Sequence, residues 1–380
     1  MDDLKKQFKI IIKAAFCVAM LISVNMLADS SIDEVYETSS ETVQQSQTLS
    51  DDKEGSWLPV PIPVSNPTIG TGLQVAMIYL HAKKSDADGV PNATSGIAGM
   101  WTDSDSKFLG VFHENNFYDD HFRLRTFAGI ADFNLHYFGI GNSREDFSLK
   151  YNIKSETVLA EFLFLLPNTS NWFIGPRMLW NDADVKFSFS SEDIELPDIE
   201  KNSITSSLGL VVKFDERDDN YYPTEGQNLE LVLLKDDENW GSDYSYEKTT
   251  FDYMYYWSIN KQQVLAFRAA LKNVEGRAPF YMLSNLDLRG NAFGRYIDNS
   301  SASIHAEWRY KFHQRWGMIG FVETGAVAES FSQLDNQKRI TSYGIGLRWQ
   351  PIATESLHIG LDVALSSDDS AIYIRVGESF

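Results

Sequence analysis

The residues best suited to chemistry are Arg289, Glu307 and Glu323. Arg289 lies in residues 285–296, NLDLRGNAFGRY, a loop between two strand-like segments. A guanidinium taken out of water needs carboxylates close by, because an unpaired buried charge is costly. Glu307 and Glu323 follow on the next two strand-like segments, where such a loop could reach them. Gly290 would let the backbone turn sharply beside a wall. On the residues alone, the ordinary reading is a solvated loop cation with two unrelated acids nearby.

Other chemistry finds little support. There is no Gly-x-Ser-x-Gly elbow, and the seven histidines show no paired metal spacing. Asp86, Asp88 and Gly89 look like part of a calcium loop, but position 84 is lysine and no acid follows at the right distance, so a turn is favoured. Asp215, Asp218 and Asp219 could hold a divalent ion, yet a solvated turn suits them better. The glycine pairs 70/72, 139/141 and 344/346 lack the strand-to-helix context of a nucleotide loop. The expectation is a protein that is not an enzyme, with no cofactor and no metal.

Composition narrows the class. The 380 residues carry a formal charge of −20, which argues against a nucleic-acid partner. Mean hydropathy is −0.27, and no apolar run past Leu27 is long enough for a spanning helix. Membrane strands remain possible, since their alternation averages to a polar score. Lys5, Lys6 and Lys9 precede an apolar run that ends near Ala28, so residues 1–28 read as a secretory signal; an uncleaved anchor helix is the alternative. The single cysteine, Cys17, lies within that segment, so neither a lipoprotein anchor nor a disulfide framework is expected. Residues 29–56 are polar and acidic and read as a disordered tail. Residues 57–68 hold four prolines and read as a connection into the folded part, giving a tail and lead-in over 29–68.

The elements that would position the arginine and the acids are strands. From residue 69 to 380, segments of about ten residues alternate with polar turns. In residues 342–350, Tyr343, Ile345, Leu347 and Trp349 share one face, and Ser342, Arg348 and Gln350 the other. In residues 357–366, Leu357, Ile359, Leu361, Val363 and Leu365 oppose His358 and Asp362. In residues 303–312, Ile304, Trp308, Tyr310 and Phe312 oppose His305, Glu307, Arg309 and Lys311. A charged face suits a wet lumen, and an aromatic-rich apolar face suits lipid. The fold class expected is all-β: a transmembrane antiparallel β-barrel over 69–380, closed because lipid cannot satisfy a free sheet edge. Fifteen segments can be delimited, the last being 371–380. Single-chain barrels normally have an even number, so 16 strands are expected, with 14 as the fallback. The long segment 120–138 could hide a second strand.

Four local patterns then resemble the BamA/TamA superfamily of outer-membrane insertion barrels, the bacterial surface antigen family. Leu288, Arg289 and Gly290 match its aliphatic-Arg-Gly signature at the tip of a long inward-folded loop. Asn291 stands where that family has an aromatic, leaving Phe293 or Tyr296 to take the packing role. Residues 214–226, FDERDDNYYPTEG, resemble its periplasmic turn. Residues 321–325, FVETG, resemble its aromatic-x-acid-x-Gly strand, with Glu323 for the usual Asp. Residues 374–380, IRVGESF, resemble its closing strand with a late glycine, Gly377, and a terminal aromatic, Phe380. The resemblance implies that Glu307 and Glu323 hold Arg289 inside the lumen, the Arg fork allowing bidentate geometry. It implies that Phe380 serves as the address read by the barrel-assembly machinery. From the residues themselves, Gly377 on one side and Gly70 and Gly72 on the other add no packing, so a short seam able to open laterally is expected between the 69–80 and 371–380 segments, with ordinary glycines in a firmly closed barrel as the alternative. The resemblance also implies an exported protein of a Gram-negative outer membrane, acting in membrane-protein assembly or transport. The partners implied are lipids, that machinery and client outer-membrane proteins. Residues 29–68 leave no room for a POTRA repeat, so a barrel-only member is expected. A passive pore or a structural surface antigen is the other reading.

Overall fold

The computed structural model describes residues 56–82, 93–141, 148–188, 190–191, 194–195, 199–219, 222–350, 358–367 and 369–380. The signal expected at 1–28, the tail expected from residue 29, as far as residue 55, and the turn expected at 86–89 lie outside the described residues. One antiparallel sheet of 16 strands dominates, each strand pairing with the next in sequence. In order these are β1 (Ser56–Asn66), β2 (Gly70–Leu80), β3 (Thr94–Thr102), β4 (Lys107–Phe117), β5 (Phe122–Tyr137), β6 (Leu149–Leu165), β7 (Trp172–Phe187) and β8 (Ile199–Asp215). Then come β9 (Gly226–Asp236), β10 (Ser245–Asn260), β11 (Gln263–Arg277), β12 (Ser300–His313), β13 (Trp316–Ala328), β14 (Ile340–Trp349), β15 (Ile359–Ser366) and β16 (Ser370–Val376). The sheet curls until β16 lies beside β1.

Two-residue alternation sets the inner and outer faces. On β2, Gln74, Ala76, Ile78 and Leu80 are buried, while Leu73, Val75 and Met77 are exposed. On β14, Tyr343, Ile345 and Leu347 point out, and Ser342 and Arg348 point in. Trp57, Trp101, Tyr255, Trp257, Trp308 and Trp316 are exposed on the outside, as expected of aromatics at the lipid boundary.

Three features depart from the sequence reading. The proline-rich lead-in is itself a strand, β1, paired with β2 from Ser56↔Leu80 to Asn66↔Gly70. Proline is tolerated there because β1 pairs with a ladder on one side only. Segment 120–138 holds a single long strand, β5. The seam therefore lies between β16 and β1, not between β16 and the 69–80 segment. Last, the final strand stops at Val376, four residues short of Phe380.

The interior has two characters. The inner face of β2–β5 is apolar: Ile78, Met100, Phe108, Phe112 and Phe127 are buried, and the rings of Phe108 and Phe127 stack at 6.2 Å. Apart from the Glu114–Arg125 pair on β4 and β5, the charged lumen expected from the late strands lies on the rest of the wall. On β5–β9, Glu161 bridges Arg177 and Arg125, and Glu230 meets Arg177 and Lys213. The densest charge is on β12–β16, facing the loop between β11 and β12.

Candidate functional site: an arginine clamp inside the barrel

The loop spans residues 278–299. Its neck is fixed by a single 3-10 turn, Phe280–Met282, whose Phe280 ring packs edge-on against Tyr137 and Tyr151. Ser284–Asn285 then pairs with Ile297–Asp298 as a two-residue ribbon. Leu286, Leu288 and Tyr296 are buried with Val327 of β13 and Ile340 of β14. Tyr296 thus takes the packing role left open by Asn291. Gly325 leaves the space that Leu286 fills: a Cβ there would come 2.5 Å from the Leu286 side chain.

The chain reaches its tip at Arg289, which is 6 % exposed. Glu323 accepts the Arg289 backbone N–H at 2.7 Å and its Nε–H at 2.5 Å, one oxygen for each. Glu307 accepts from Nη1 at 2.7 Å. Asp362 on β15 lies 3.6 Å from Nη1. The guanidinium sits 3.4 Å above the Phe321 ring. Ser342 donates its hydroxyl to the Arg289 carbonyl, and the Gly290 N–H donates to the Tyr373 hydroxyl at 2.9 Å. Gly290 has φ +92°, a left-handed conformation that costs glycine nothing. The guanidinium fork is divided between the two glutamates, Nε to Glu323 and Nη1 to Glu307. The reason is that the tip's own backbone N–H takes one of the two Glu323 oxygens.

The acids and arginines continue outward. Glu307 also accepts from Arg309 Nε at 2.9 Å. Asp362 is bound by Arg348 and lies 2.9 Å from Arg375 Nε. Arg348 Nε donates to Glu378 at 2.8 Å. Four arginines thus interleave with four acids on the inner wall, which is how so many charges survive burial. Asp362, Arg309, Arg348, Arg375 and Glu378 belong to this site and were not singled out by sequence reasoning. Alternation does place Asp362, Arg348 and Arg309 on inward faces, but nothing in spacing says which charges meet.

Gly377 and Phe380 lie past the end of β16. Gly377 has φ +81° and turns the chain off the strand line. Phe380 is buried inside with Tyr256 and Ala266, its ring edge-on to His305 at 5.9 Å. The Phe380 carbonyl accepts from Arg309, whose Nη1 also donates to the Pro223 carbonyl at 3.2 Å. The turn bearing Pro223 is built by its aspartates. Asp215 pairs with Arg217, Asp218 accepts from Thr224 and Glu225, and Asp219 accepts from the Tyr222 N–H. Burial pushes the Tyr222 phenol up, its ring packed 4.5 Å from His358. Among the described residues, no group of three His, Cys, Asp or Glu side chains is placed to hold a metal.

The fold matches solved outer-membrane barrels. BamA from Haemophilus ducreyi lacking POTRA domains 1–3 superposes with a TM-score of 0.59 at 14 % identity, over 86 % of this chain and 70 % of that one. CdiB from Escherichia coli gives 0.58 at 10 % identity, over 86 % and 63 %. CdiB from Acinetobacter baumannii gives 0.53 at 9 % identity, over 86 % and 60 %, so this chain spans less than two thirds of either CdiB. No curated protein matches the sequence. The model of the Omp85 superfamily domain matches residues 93–380, most of the sheet and the whole clamp, and the chain belongs to that superfamily.

Proposed function

We propose that the barrel works in membrane-protein assembly or transport, with the Arg289-bearing loop as its gate. As an Omp85 superfamily barrel it belongs to the outer membrane of a Gram-negative cell, in contact with lipid. Members of the superfamily insert or transport proteins and are not enzymes. The same is proposed for this chain, with client outer-membrane proteins as its partners and the barrel-assembly machinery as the agent of its own insertion.

One observation carries the reading. Each of the five strands after the loop gives at least one residue to Arg289 or Gly290: Glu307 from β12, Glu323 and Phe321 from β13, Ser342 from β14, Asp362 from β15 and Tyr373 from β16. Moving the tip would therefore loosen the whole half-wall that ends at the β16–β1 seam. The conduit is either the lumen itself or that seam.

A specific observation also favours the second reading, a passive or structural barrel. The cavity beside the tip is only about 50 Å³, lined by residues including Thr68, Asp287 and His305, and apolar rings fill the opposite wall. The deciding experiment is folding of an outer-membrane client into liposomes that contain the purified protein, beside an Arg289→Ala variant. Faster client folding with the wild type, altered in the variant, supports the assembly reading. Equal rates with and without the protein refute it.

A further inference from the structure

The seam between β1 and β16 is chemically lopsided. In an antiparallel strand, each residue points its N–H and its C=O to the same edge, and successive residues alternate edges. Pro59, Pro61 and Pro63 are two apart, so all three address one edge. The β1–β2 ladder runs unbroken through Pro59↔Met77, Pro61↔Val75 and Pro63↔Leu73. A ladder survives there only if the prolines' missing donors face away from β2. The other edge of β1 is the one beside β16.

That edge offers carbonyls at three successive sites and no N–H at any of them. Trp57 and Ser65 keep donors on the same edge, but over 59–63 a facing strand could donate and not receive, so half of that stretch of ladder is unavailable. Among the described residues no backbone pairing joins β16 to β1, although β16 is fully paired with β15 from Ile359↔Val376 to Leu365↔Ser370. The same chemistry makes an unzipped β1 less costly. A buried carbonyl without a partner is better tolerated than an orphaned N–H, and here the N–H groups are absent.

Something else must hold β16 in place, and residues 377–380 are bound from within. The Gly377 N–H donates to the His358 carbonyl at 2.8 Å. Glu378 meets Arg348 at 2.8 Å, both side chains 2 % exposed. Phe380 crosses to β10–β12, where it packs on Tyr256 and Ala266 and its carbonyl is held by Arg309. The geometry points to a barrel closed by this inner clasp on residues 377–380, because proline has stripped the middle of the seam edge of β1, residues 59–63, of the donors that a zipped closure needs. It follows that β1 is a poor template for any added strand, since an edge lacking donors resists augmentation. This closure stands whether or not the barrel acts on clients.

Hydrogen exchange of the refolded full chain in detergent tests it, read on peptides covering 370–376 with β7 as internal reference. Glu378→Gln with Phe380→Ala should speed exchange at 370–376 at least tenfold and leave β7 unchanged. Replacing Pro59, Pro61 and Pro63 together by alanine should slow exchange at 370–376, and should restore protection when combined with the clasp variant. Pro61→Ala alone should act in the same direction, and serves if the triple variant does not refold. Unchanged exchange in the clasp variant overturns the proposal. So does a proline-free edge that gives 370–376 no added protection.

Discussion

Glu323 holds Arg289 twice, one oxygen on its backbone N–H and the other on its Nε–H. The first bond places the loop tip and the second sets the side chain's direction. The guanidinium then has no freedom but to lie on Phe321 and extend Nη1 toward Glu307 and Asp362. One carboxylate so fixes both the position and the aim of the clamp.

Replacing Arg289 by lysine should not preserve the clamp. An ammonium is a single point charge and cannot serve Glu323 and Glu307 in one plane while stacking on Phe321. Arg289→Lys should raise protease cleavage within 278–299 by severalfold, and Arg289→Ala by more. Limited proteolysis of the folded barrel, read by mass spectrometry, checks this.

The two glutamates should differ. Glu323→Gln leaves the tip N–H and Nε–H competing for one acceptor oxygen, and removing one partner of a buried pair costs about 3–5 kcal/mol. Glu307→Gln leaves Arg289 its two bonds to Glu323. Urea unfolding in detergent should show the larger loss for Glu323→Gln, together with the larger gain in loop proteolysis.

Gly325→Val tests the seat from the wall side. The added Cβ would meet both the Leu286 side chain and the Ala302 carbonyl at 2.5 Å. Overpacking of this kind costs about 1–3 kcal/mol. The loop should leave its seat while the strands persist, seen as faster exchange at 286–290 with unchanged far-UV circular dichroism.

The apolar wall should be separable from the clamp. Phe127→Ala removes a ring stacked on Phe108, which costs about 3–5 kcal/mol in a packed core. Stability should fall by that order while proteolysis of 278–299 stays at the wild-type level.

How much of this is legible in the sequence depends on the element. The late strands declare themselves, because Tyr343, Ile345 and Leu347 alternate cleanly with inward Ser342 and Arg348. The meeting of Arg289 with Glu307 and Glu323 follows from motif resemblance. Alternation alone fixes only that both acids face inward. Asp362 is visible as an inward acid, but its partners lie 14 and 13 residues away on two strands as well as across the lumen on the loop, and no local spacing encodes that. β1 escapes because proline is read as a strand breaker, a rule that holds only for strands paired on both sides. The inward place of Phe380 is not readable from alternation, because the positive φ of Gly377 turns the chain after the strand ends at Val376. The apolar inner wall of β2–β5 is hidden by Phe108, Phe112 and Phe127, which satisfy an inward-facing or an outward-facing reading equally well.

The central claim is that Arg289 keeps the loop seated as a gate. Single-channel conductance of the purified barrel in planar bilayers, wild type beside Arg289→Ala, addresses it directly. The account predicts a wild type that is mostly closed and a variant with frequent, larger openings. Indistinguishable traces from the two proteins, whether silent or open, would contradict it.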